Sequence, residues 1–188
     1  MLYYVPISAT AAVYLFRMAE VTRKRETIAG KVREKLTLRL FILIGTLMTI
    51  GSIEEYVLRG GGFSRVAFVL GLACAVTSFK LRWAAIGALG KFWSLHVEIR
   101  ENHELVRSGP FHWVRHPVYF SMILELLASA LLCSAWWMLL IIPFAFVPVL
   151  IRRLRLEEPA MVEKFGDAYR DYQRRVPMLI PYKWPAAN

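Results

Sequence analysis

The sequence predicts an all-α integral membrane protein with about five transmembrane helices, and three observations lead to that fold class. Hydrophobic residues make up 57% of the 188-residue chain, and its mean hydropathy of +0.43 is too high for an ordinary soluble domain. Several apolar runs approach the length of about 20 residues that a helix needs to cross a bilayer. The basic residues lie between those runs, as in the cytoplasmic loops of membrane proteins.

The composition also argues against several classes of function. A formal net charge of +10 would suit a nucleic-acid-binding protein, but the basic residues are not gathered on one amphipathic face. We therefore expect them to lie beside anionic membrane lipid, and we expect no nucleic-acid partner. The two cysteines, Cys74 and Cys133, each lie inside an apolar run without a CxxC motif or a Cys/His cluster. This pattern predicts neither a structural disulfide nor a zinc site.

The charges that flank the apolar runs predict the orientation of the chain. The run 2–19 has no basic residue before it and is followed by a loop rich in Lys and Arg. By the positive-inside rule, we expect the N-terminus outside and this loop in the cytoplasm. Further spans are expected at 38–58, where Glu54 and Glu55 can reach headgroups or water near the outer end, and at 63–81. A helix that extends beyond the cytoplasmic surface to about Arg100 is expected to follow.

The apolar run 117–150 predicts a helical hairpin. A single helix of 34 residues would be about 50 Å long, which is too long for one span. A break near residues 133–135 divides the run into two helices of roughly sixteen residues each, and two tryptophans follow the break as interfacial anchors. The returning helix contains Pro143 and Pro148, which membrane helices tolerate.

The C-terminal part predicts a cytoplasmic tail that includes a soluble amphipathic helix at about Pro159 to Tyr172. The C-terminus is therefore expected in the cytoplasm, together with the active site. We divide the chain into an N-terminal region, 1–84, with three helices and a basic loop, and a catalytic region, 85–188, with the hairpin and the tail.

Chemistry is predicted in residues 103–119, which are dense in His and Arg and lead directly into an apolar run. The Ser-Gly-Pro sequence at 108–110 predicts a turn. The His116-Pro117 pair predicts an extended residue before a proline that opens a helix. The three histidines of this stretch lack carboxylate or cysteine partners at helical spacing, so we expect no metal site.

Three further charged residues lie in the predicted apolar helices or at their ends. Arg153 and Glu157 are four residues apart near the end of the last apolar run, so on a helix they share a face and either pair or project together into a site. Glu125 lies eight residues into an apolar helix, where a carboxylate is costly. Either a functional role or a hydrogen bond to another helix explains it.

Two ordered motifs run through residues 90–182. The first comprises Leu105-Val106, Gly109-Pro110, Arg115-His116-Pro117 and Tyr119, and the second comprises Glu157-Glu158, Phe165-Gly166, Tyr169, Tyr172, Arg175-Val176-Pro177 and Ile180-Pro181. Together they resemble the isoprenylcysteine carboxyl methyltransferase family. These are integral membrane enzymes that use S-adenosylmethionine to methylate the carboxylate of a prenylated C-terminal cysteine.

The resemblance implies S-adenosyl-L-methionine as the cofactor and a lipidic or prenylated carboxylate as the substrate, entering from the bilayer. Arg153 falls where the family places the catalytic arginine that faces the substrate carboxylate, and Glu157 would hold a polar end of the cofactor. The implied cofactor contacts, largely through backbone, are His96, His103, Glu104, Leu105, Val106, Phe111, His116, Pro117, Val118, Tyr119 and Glu157. The chemistry agrees, because a carboxylate is ionised at pH 7 and needs an orienting cation rather than a general base.

Three other functions remain open from the sequence. A lipid-amine N-methyltransferase would need Glu125 or Glu158 as a base, because an amine must lose a proton. A membrane sterol-type reductase using NADPH has a similar C-terminal region. A non-catalytic membrane scaffold is compatible with the first 85 residues, but it gives the polar residues 96–119 no purpose.

Overall fold

A computed structural model describes residues 2–23, 31–34, 36–93, 97–99 and 105–182 of the chain. Helices account for most of this part. Their bounds are Tyr4–Thr22 (α1), Leu36–Leu58 (α2), Arg65–Leu89 (α3), Pro117–Leu132 (α4), Trp136–Phe165 (α5) and Asp167–Arg175 (α6). Two short strands, Lys31–Glu34 (β1) and Val97–Ile99 (β2), pair antiparallel and join the loop after α1 to the segment after α3.

Three of the described helices are long and apolar enough to cross a membrane: α2, α5, and α3 together with the 3-10 turn Gly90–Phe92 that follows it. They confirm the predicted all-α membrane class. The helix α4 is apolar but has only 16 residues, and α1 is less apolar because Arg17 and Glu20 lie in its last two turns. Helices lie at all five places where we expected spans. That all five cross the membrane stays a prediction.

The chain after α3 departs from the expected helix. The helix ends at Leu89, because Gly90 adopts a φ of +51°, a left-handed conformation that glycine tolerates and that terminates helices. The strand β2 then lies where we expected helix as far as about Arg100, so that prediction is wrong. The tertiary pairing with β1 determines the conformation of this segment.

The hairpin and the tail are also divided differently from the prediction. The break at residues 133–135 is confirmed, but α4 has 16 residues and α5 has 30. The helix α5 continues through Pro159 and ends only at Gly166, whose φ is +56°. The expected separate helix from Pro159 to Tyr172 is therefore wrong, and the tail helix is α6. Site residues near the end of α5 are consequently held on one continuous rigid helix.

Small residues allow α3 and α4 to pack closely. A Cβ atom added to Gly71 of α3 would lie 2.8 Å from the backbone nitrogen of Leu132, so only glycine fits this crossing. Contacts of this kind are typical of helices that associate in a bilayer. A larger apolar core joins α2, α4 and α5 and contains the rings of Phe41 and Phe146, whose centroids are 5.2 Å apart and whose planes are tilted by 36°.

At the end of the bundle where α2 meets the start of α5, the structure corrects the expectation for Glu55. Its carboxylate is buried and accepts hydrogen bonds from the backbone N–H groups of Trp137 and Met138, each at 3.2 Å. These groups belong to the first turn of α5, where N–H groups have no partner within the helix. Arg59 adds a hydrogen bond of 2.6 Å to the carbonyl of Ser134. Glu55, which we expected to reach headgroups or water, therefore fixes the hairpin instead, whereas Glu54 is exposed.

Candidate functional site

We call residues 103–119 the polar stretch, of which the structure describes residues 105–119. The backbone of this described part bends where the sequence predicts. Gly109 has a φ of +60° and begins a short 3-10 helix, Gly109–His112. His116 has a φ of −126° and a ψ of 64°, which is neither helical nor fully extended, and Pro117 is the first residue of α4. The predicted turn and the predicted helix start are both confirmed, and they leave the intervening backbone outside any long helix.

The C-terminal tail pairs with this stretch through main-chain hydrogen bonds. The amide of Arg115 donates to the carbonyl of Pro177 at 2.9 Å, and the amide of His116 donates to the carbonyl of Met178 at 3.0 Å. Two motifs that are about 60 residues apart in sequence are thus adjacent at the start of α4.

Glu158 connects these motifs through its side chain. Its carboxylate accepts both Nε and Nη2 of Arg115, at 3.0 and 3.2 Å, and its Oε1 lies 2.7 Å from Nε2 of His116. The hydroxyl of Tyr169 donates to Oε1 at 3.1 Å, and the amide of Gln173 donates to Oε2. Glu158 belongs to the tail motif of the sequence, but the motif does not predict this role. Its position beside Glu157 is the only signal that the sequence offers.

Arg153, the predicted catalytic residue, lies on the neighbouring turn of α5 and is only 4% exposed. Its Nε donates to the hydroxyl of Tyr119 at 2.9 Å, and its Nη1 donates to Oγ1 of Thr37 at 3.0 Å. The Tyr119 hydroxyl in turn donates to Oε2 of Glu157 at 2.5 Å, and that oxygen lies 3.9 Å from Arg153 Nε. The structure thus brings together three residues that the sequence predicted, and it adds Thr37.

Thr37 comes from the first turn of α2, a helix that the sequence presented only as a span. Phe41 lies one turn further along the same face, with its ring centroid 6.1 Å from that of Tyr119. Positions four residues apart share a helix face, so α2 contributes both a polar and an aromatic side chain to the wall of the site. No local signal marks Thr37, because its role depends on where α5 packs.

The remaining predicted cofactor residues fall into three groups. Leu105, Val106 and Val118 are half-buried, while Phe111, His116, Pro117 and Tyr119 are buried. The rings of His116 and Tyr119 stack with centroids 5.6 Å apart. His96, His103 and Glu104 lie outside the described residues. Within the described part of the chain, no three His, Cys, Asp or Glu side chains are placed to hold a metal ion.

Two tyrosines of α6 seal the tail against the polar stretch. Tyr172 donates a hydrogen bond of 2.5 Å to the carbonyl of Phe111. Burial raises the pKa of the Tyr172 phenol well above its ordinary value. Burial likewise raises the pKa of Tyr169, and the nearby Glu158 carboxylate raises it further. Both phenols are therefore protonated and available as donors over the whole physiological range.

Glu125 lies apart from this site. It follows Tyr119 by six residues, or about 9 Å along α4, and it accepts a hydrogen bond of 2.9 Å from Nη2 of Arg82 in α3. Of the two explanations left open by the sequence, a bond to another helix is the one observed.

The fold and the site define a class of protein: a small α-helical membrane protein whose C-terminal tail folds back over a polar site at the end of its apolar helices. Residues 69–163, about half of the chain, match the family model described as the isoprenylcysteine carboxyl methyltransferase (ICMT) family. The chain belongs to this family, which confirms the resemblance seen in its motifs. Methyltransferases of this family generally use S-adenosylmethionine.

Individual relatives are similar over parts of the chain. A protein-S-isoprenylcysteine O-methyltransferase of Schizosaccharomyces pombe is 31% identical over 103 residues, which cover 54% of this chain and 44% of that protein. The protein YpbQ of Bacillus subtilis is 33% identical over 95 residues, 50% of this chain and 56% of that protein. Methanethiol S-methyltransferase 1 of Bradyrhizobium diazoefficiens is 33% identical over 73 residues, 39% of this chain and 25% of that protein. The chain spans about half the length of the S. pombe and B. subtilis relatives.

Proposed function

We propose that this protein is a membrane methyltransferase that uses S-adenosylmethionine to methylate the carboxylate of a lipidic acceptor, such as an isoprenylated cysteine. The observation that carries the proposal is the buried guanidinium of Arg153. It is held by Tyr119 and Thr37 at the end of the apolar part of α5. Family membership supports the reaction class.

The residues that are present fit the cofactor. Glu157 is partly exposed, with 31% of its side chain accessible, and among the described residues none donates a hydrogen bond to its Oε1. This oxygen is available to the ammonium group of the amino-acid end of S-adenosylmethionine. The half-buried backbone at Leu105, Val106 and Val118 offers further polar groups. When bound, the cofactor supplies an electrophilic methyl group.

Arg153 would then act by positioning the acceptor. A carboxylate with a pKa near 3.5 is already ionised at pH 7, so the reaction needs no general base. It requires the acceptor oxygen to be aligned with the methyl group and shielded from water. A guanidinium fixed on two sides can provide this alignment, because its planar donors match the two oxygens of a carboxylate.

The two residues that the lipid-amine alternative would use as a base, Glu125 and Glu158, are already engaged with other side chains. The carboxylate of Glu158 already accepts hydrogen bonds from Arg115, Tyr169 and Gln173. These bonds stabilise its anionic form, so it is a poor proton acceptor. Glu125 pairs with Arg82 about two turns along α4 from Tyr119. We therefore do not retain amine methylation.

A thiol acceptor is the second candidate, because the chain is similar to methanethiol S-methyltransferases. A thiolate is an anion, so Arg153 would serve it in the same way as it serves a carboxylate. Because both acceptors would use the same cofactor, only the identity of the methylated product distinguishes them.

Cofactor and product can be tested separately. Calorimetric titration of the purified protein in lipid nanodiscs should show binding of S-adenosylhomocysteine and none of NADPH. Membranes with and without the protein, supplied with methyl-deuterated cofactor, should then differ by a labelled methyl ester on mass spectrometry. Labelled thioethers would favour the thiol acceptor, whereas binding of NADPH alone would reject the methyltransferase and favour the reductase.

Arg153→Ala tests the role of the guanidinium. We expect transfer to fall about 100-fold or more, because ionic hydrogen bonds of about 1.5–3 kcal/mol each are lost, while binding of S-adenosylhomocysteine is retained. Arg152→Ala is the matched control, since Arg152 is the exposed neighbour on the same helix, and it should leave both quantities unchanged. Equal loss of binding and transfer in Arg153→Ala would contradict the assigned role.

A further inference from the structure

A groove runs between α1 and α2. Counting the part that is open to the surroundings, it contains about 590 Å³ of unfilled space, and α4 and α5 form its floor. Most of its lining is apolar, and the hydroxyls of Tyr14 and Thr46 join the two walls by a hydrogen bond of 2.8 Å. Along α2, the lining extends from Leu38 to Thr49, which corresponds to about 16 Å. This is about half the thickness of the hydrocarbon core and therefore the depth of one leaflet.

A charged pair lines the groove. Arg17 of α1 and Glu125 of α4 both contribute to its wall, and their side chains are 9% and 14% exposed. Both belong to one cluster of ion pairs: Arg17 Nη1 lies 3.4 Å from Oε2 of Glu20, and Arg17 Nε lies 3.8 Å from Oε2 of Glu125. Arg82 completes the cluster, with Nη2 2.9 Å from Oε2 of Glu125 and Nε 3.7 Å from Oε2 of Glu20. A buried guanidinium and a buried carboxylate are thus fixed side by side at the edge of an apolar space.

Both charged groups keep polar atoms for another partner. Within the described part of the chain, no hydrogen bond reaches Nη2 of Arg17 or Oε1 of Glu125. The fully buried Arg82 likewise has no hydrogen-bond partner for its Nε and Nη1 among those residues. Burying polar atoms without hydrogen bonds is costly. The four paired side chains carry no net charge, so the site favours a ligand that is neutral overall and carries both an anion and a cation.

The depth of the pair matches the headgroup boundary. Arg17 lies five residues before the end of α1, about 7 Å, and the headgroup layer is about 5–7 Å thick on each side of the core. A lipid whose chain fills the groove would therefore carry its polar group beside Arg17 and Glu125.

We propose that this groove binds one zwitterionic phospholipid of the phosphatidylethanolamine type, with its phosphate at Arg17, its ammonium at Glu125 and one acyl chain against α2 and α4. An anionic lipid without an ammonium would bind Arg17 but would add a net negative charge beside Glu125, which is already paired with Arg82. A fatty acid has the same disadvantage, and a neutral isoprenoid would form no hydrogen bond with Nη2 of Arg17 or Oε1 of Glu125. The groove shares Phe41 with the wall of the candidate site, but Arg153, Tyr119 and Glu157 do not line it, so the proposal does not depend on methyl transfer.

Gly45→Leu tests occupancy of the groove. Gly45 lines the groove, and a Cβ at this position meets no atom within 4 Å, so leucine fills the space without displacing the chain. Gly87→Leu is the matched control, because Gly87 is also helical with an open Cβ position but lies outside the groove lining. We expect the wild type and Gly87→Leu to retain about one phospholipid per protein by native mass spectrometry and phosphorus assay, and Gly45→Leu to retain none.

Glu125→Gln tests the selectivity. The proteins are exchanged into nanodiscs that contain equal amounts of phosphatidylethanolamine and phosphatidylglycerol before the retained lipid is identified. The wild type should prefer phosphatidylethanolamine, and the preference should fall about 10-fold in Glu125→Gln, since an ionic hydrogen bond to the ammonium is lost. Glu54→Gln removes the same charge from an exposed position and should keep the wild-type preference.

Three outcomes would overturn the proposal: equal retention of the two lipids by the wild type, retention of a phosphorus-free fatty acid or isoprenoid, or no lipid above the level of Gly45→Leu. If Glu125→Gln does not fold, the lipid identified in the wild type and its loss from Gly45→Leu still decide between these outcomes. None of these measurements involves cofactor or turnover, so their failure would leave the methyltransferase proposal untouched.

Discussion

At the residue scale, Glu158 joins two distant parts of the chain. It lies on α5 and bonds to Arg115 and His116 before α4 and to Tyr169 and Gln173 in α6. A carboxylate can do this because its two oxygens accept about four hydrogen bonds. An amide at the same position would offer donors to groups that are themselves donors.

We therefore expect Glu158→Gln to lower the free energy of unfolding by about 3 kcal/mol or more, since it leaves a buried Arg115 charge uncompensated. Thermal unfolding of the purified protein in detergent would measure the change. Asp167→Asn is the control, because its ion pair with Arg170 is exposed and such pairs contribute little. A melting temperature of Glu158→Gln within error of the control would refute this role.

The buried tyrosines predict a loss of stability at alkaline pH. Burial holds the pKa of Tyr169 above the ordinary value of 10.0, whereas the unfolded chain ionises at that ordinary value. The stability contributed by the neutral phenol is therefore complete below pH 10 and is lost as the pH rises from 10 towards the folded pKa. Tyr169→Phe cannot ionise, so the alkaline slope of its melting temperature should be shallower. An unchanged slope would show that Tyr169 does not cause the loss.

At the scale of elements, apolar runs located the helices, but their ends depend on features outside those runs. The helices α3 and α5 continue beyond the apolar residues until Gly90 and Gly166 adopt left-handed conformations. The chain after Gly90 then pairs as β2 with β1, and neither strand was predicted. The two strands are more than 60 residues apart in sequence, so the local pattern of apolar residues does not predict that they pair.

The start of α5 shows the same dependence. Its first turn is capped by Glu55 of α2 rather than by a neighbouring residue. We expect Glu55→Gln to lower the free energy of unfolding by about 1–2 kcal/mol, because the charge-assisted bonds to Trp137 and Met138 weaken. Glu54→Gln removes an adjacent, exposed charge and should have no measurable effect on the melting curve. Equal effects of the two variants would exclude the cap.

At the scale of the whole molecule, we propose the orientation that the basic loops predict, with the N-terminus outside and the tail in the cytoplasm. Single cysteines in a background with Cys74 and Cys133 replaced by serine test it. Gly62→Cys lies in the exposed turn between α2 and α3 and should react with a membrane-impermeant maleimide in intact cells. Asp167→Cys on α6 should react only after permeabilisation. The reverse pattern would require the opposite orientation.

The candidate site was predictable as far as its residues belong to recognisable motifs. Arg153, Tyr119 and Glu157 follow from the family resemblance, and their mutual contacts agree with a shared location. Thr37 did not follow, because it lies outside the matched residues 69–163. Its role arises only when α2 packs against α5. The roles of Arg153, Tyr119 and Glu157 in binding cofactor and acceptor are proposals, which the experiments above test.

The sequence by itself determined that this is an all-α membrane protein of the ICMT family, because hydropathy, charge distribution and short motifs are local properties of the chain. Only the tertiary structure decided that Glu158 joins the two motifs, that Thr37 holds Arg153, and that Arg17 and Glu125 meet in a groove. Each of these contacts joins different helices. Such contacts depend on how the helices pack in three dimensions, and packing is not encoded in any single stretch of residues.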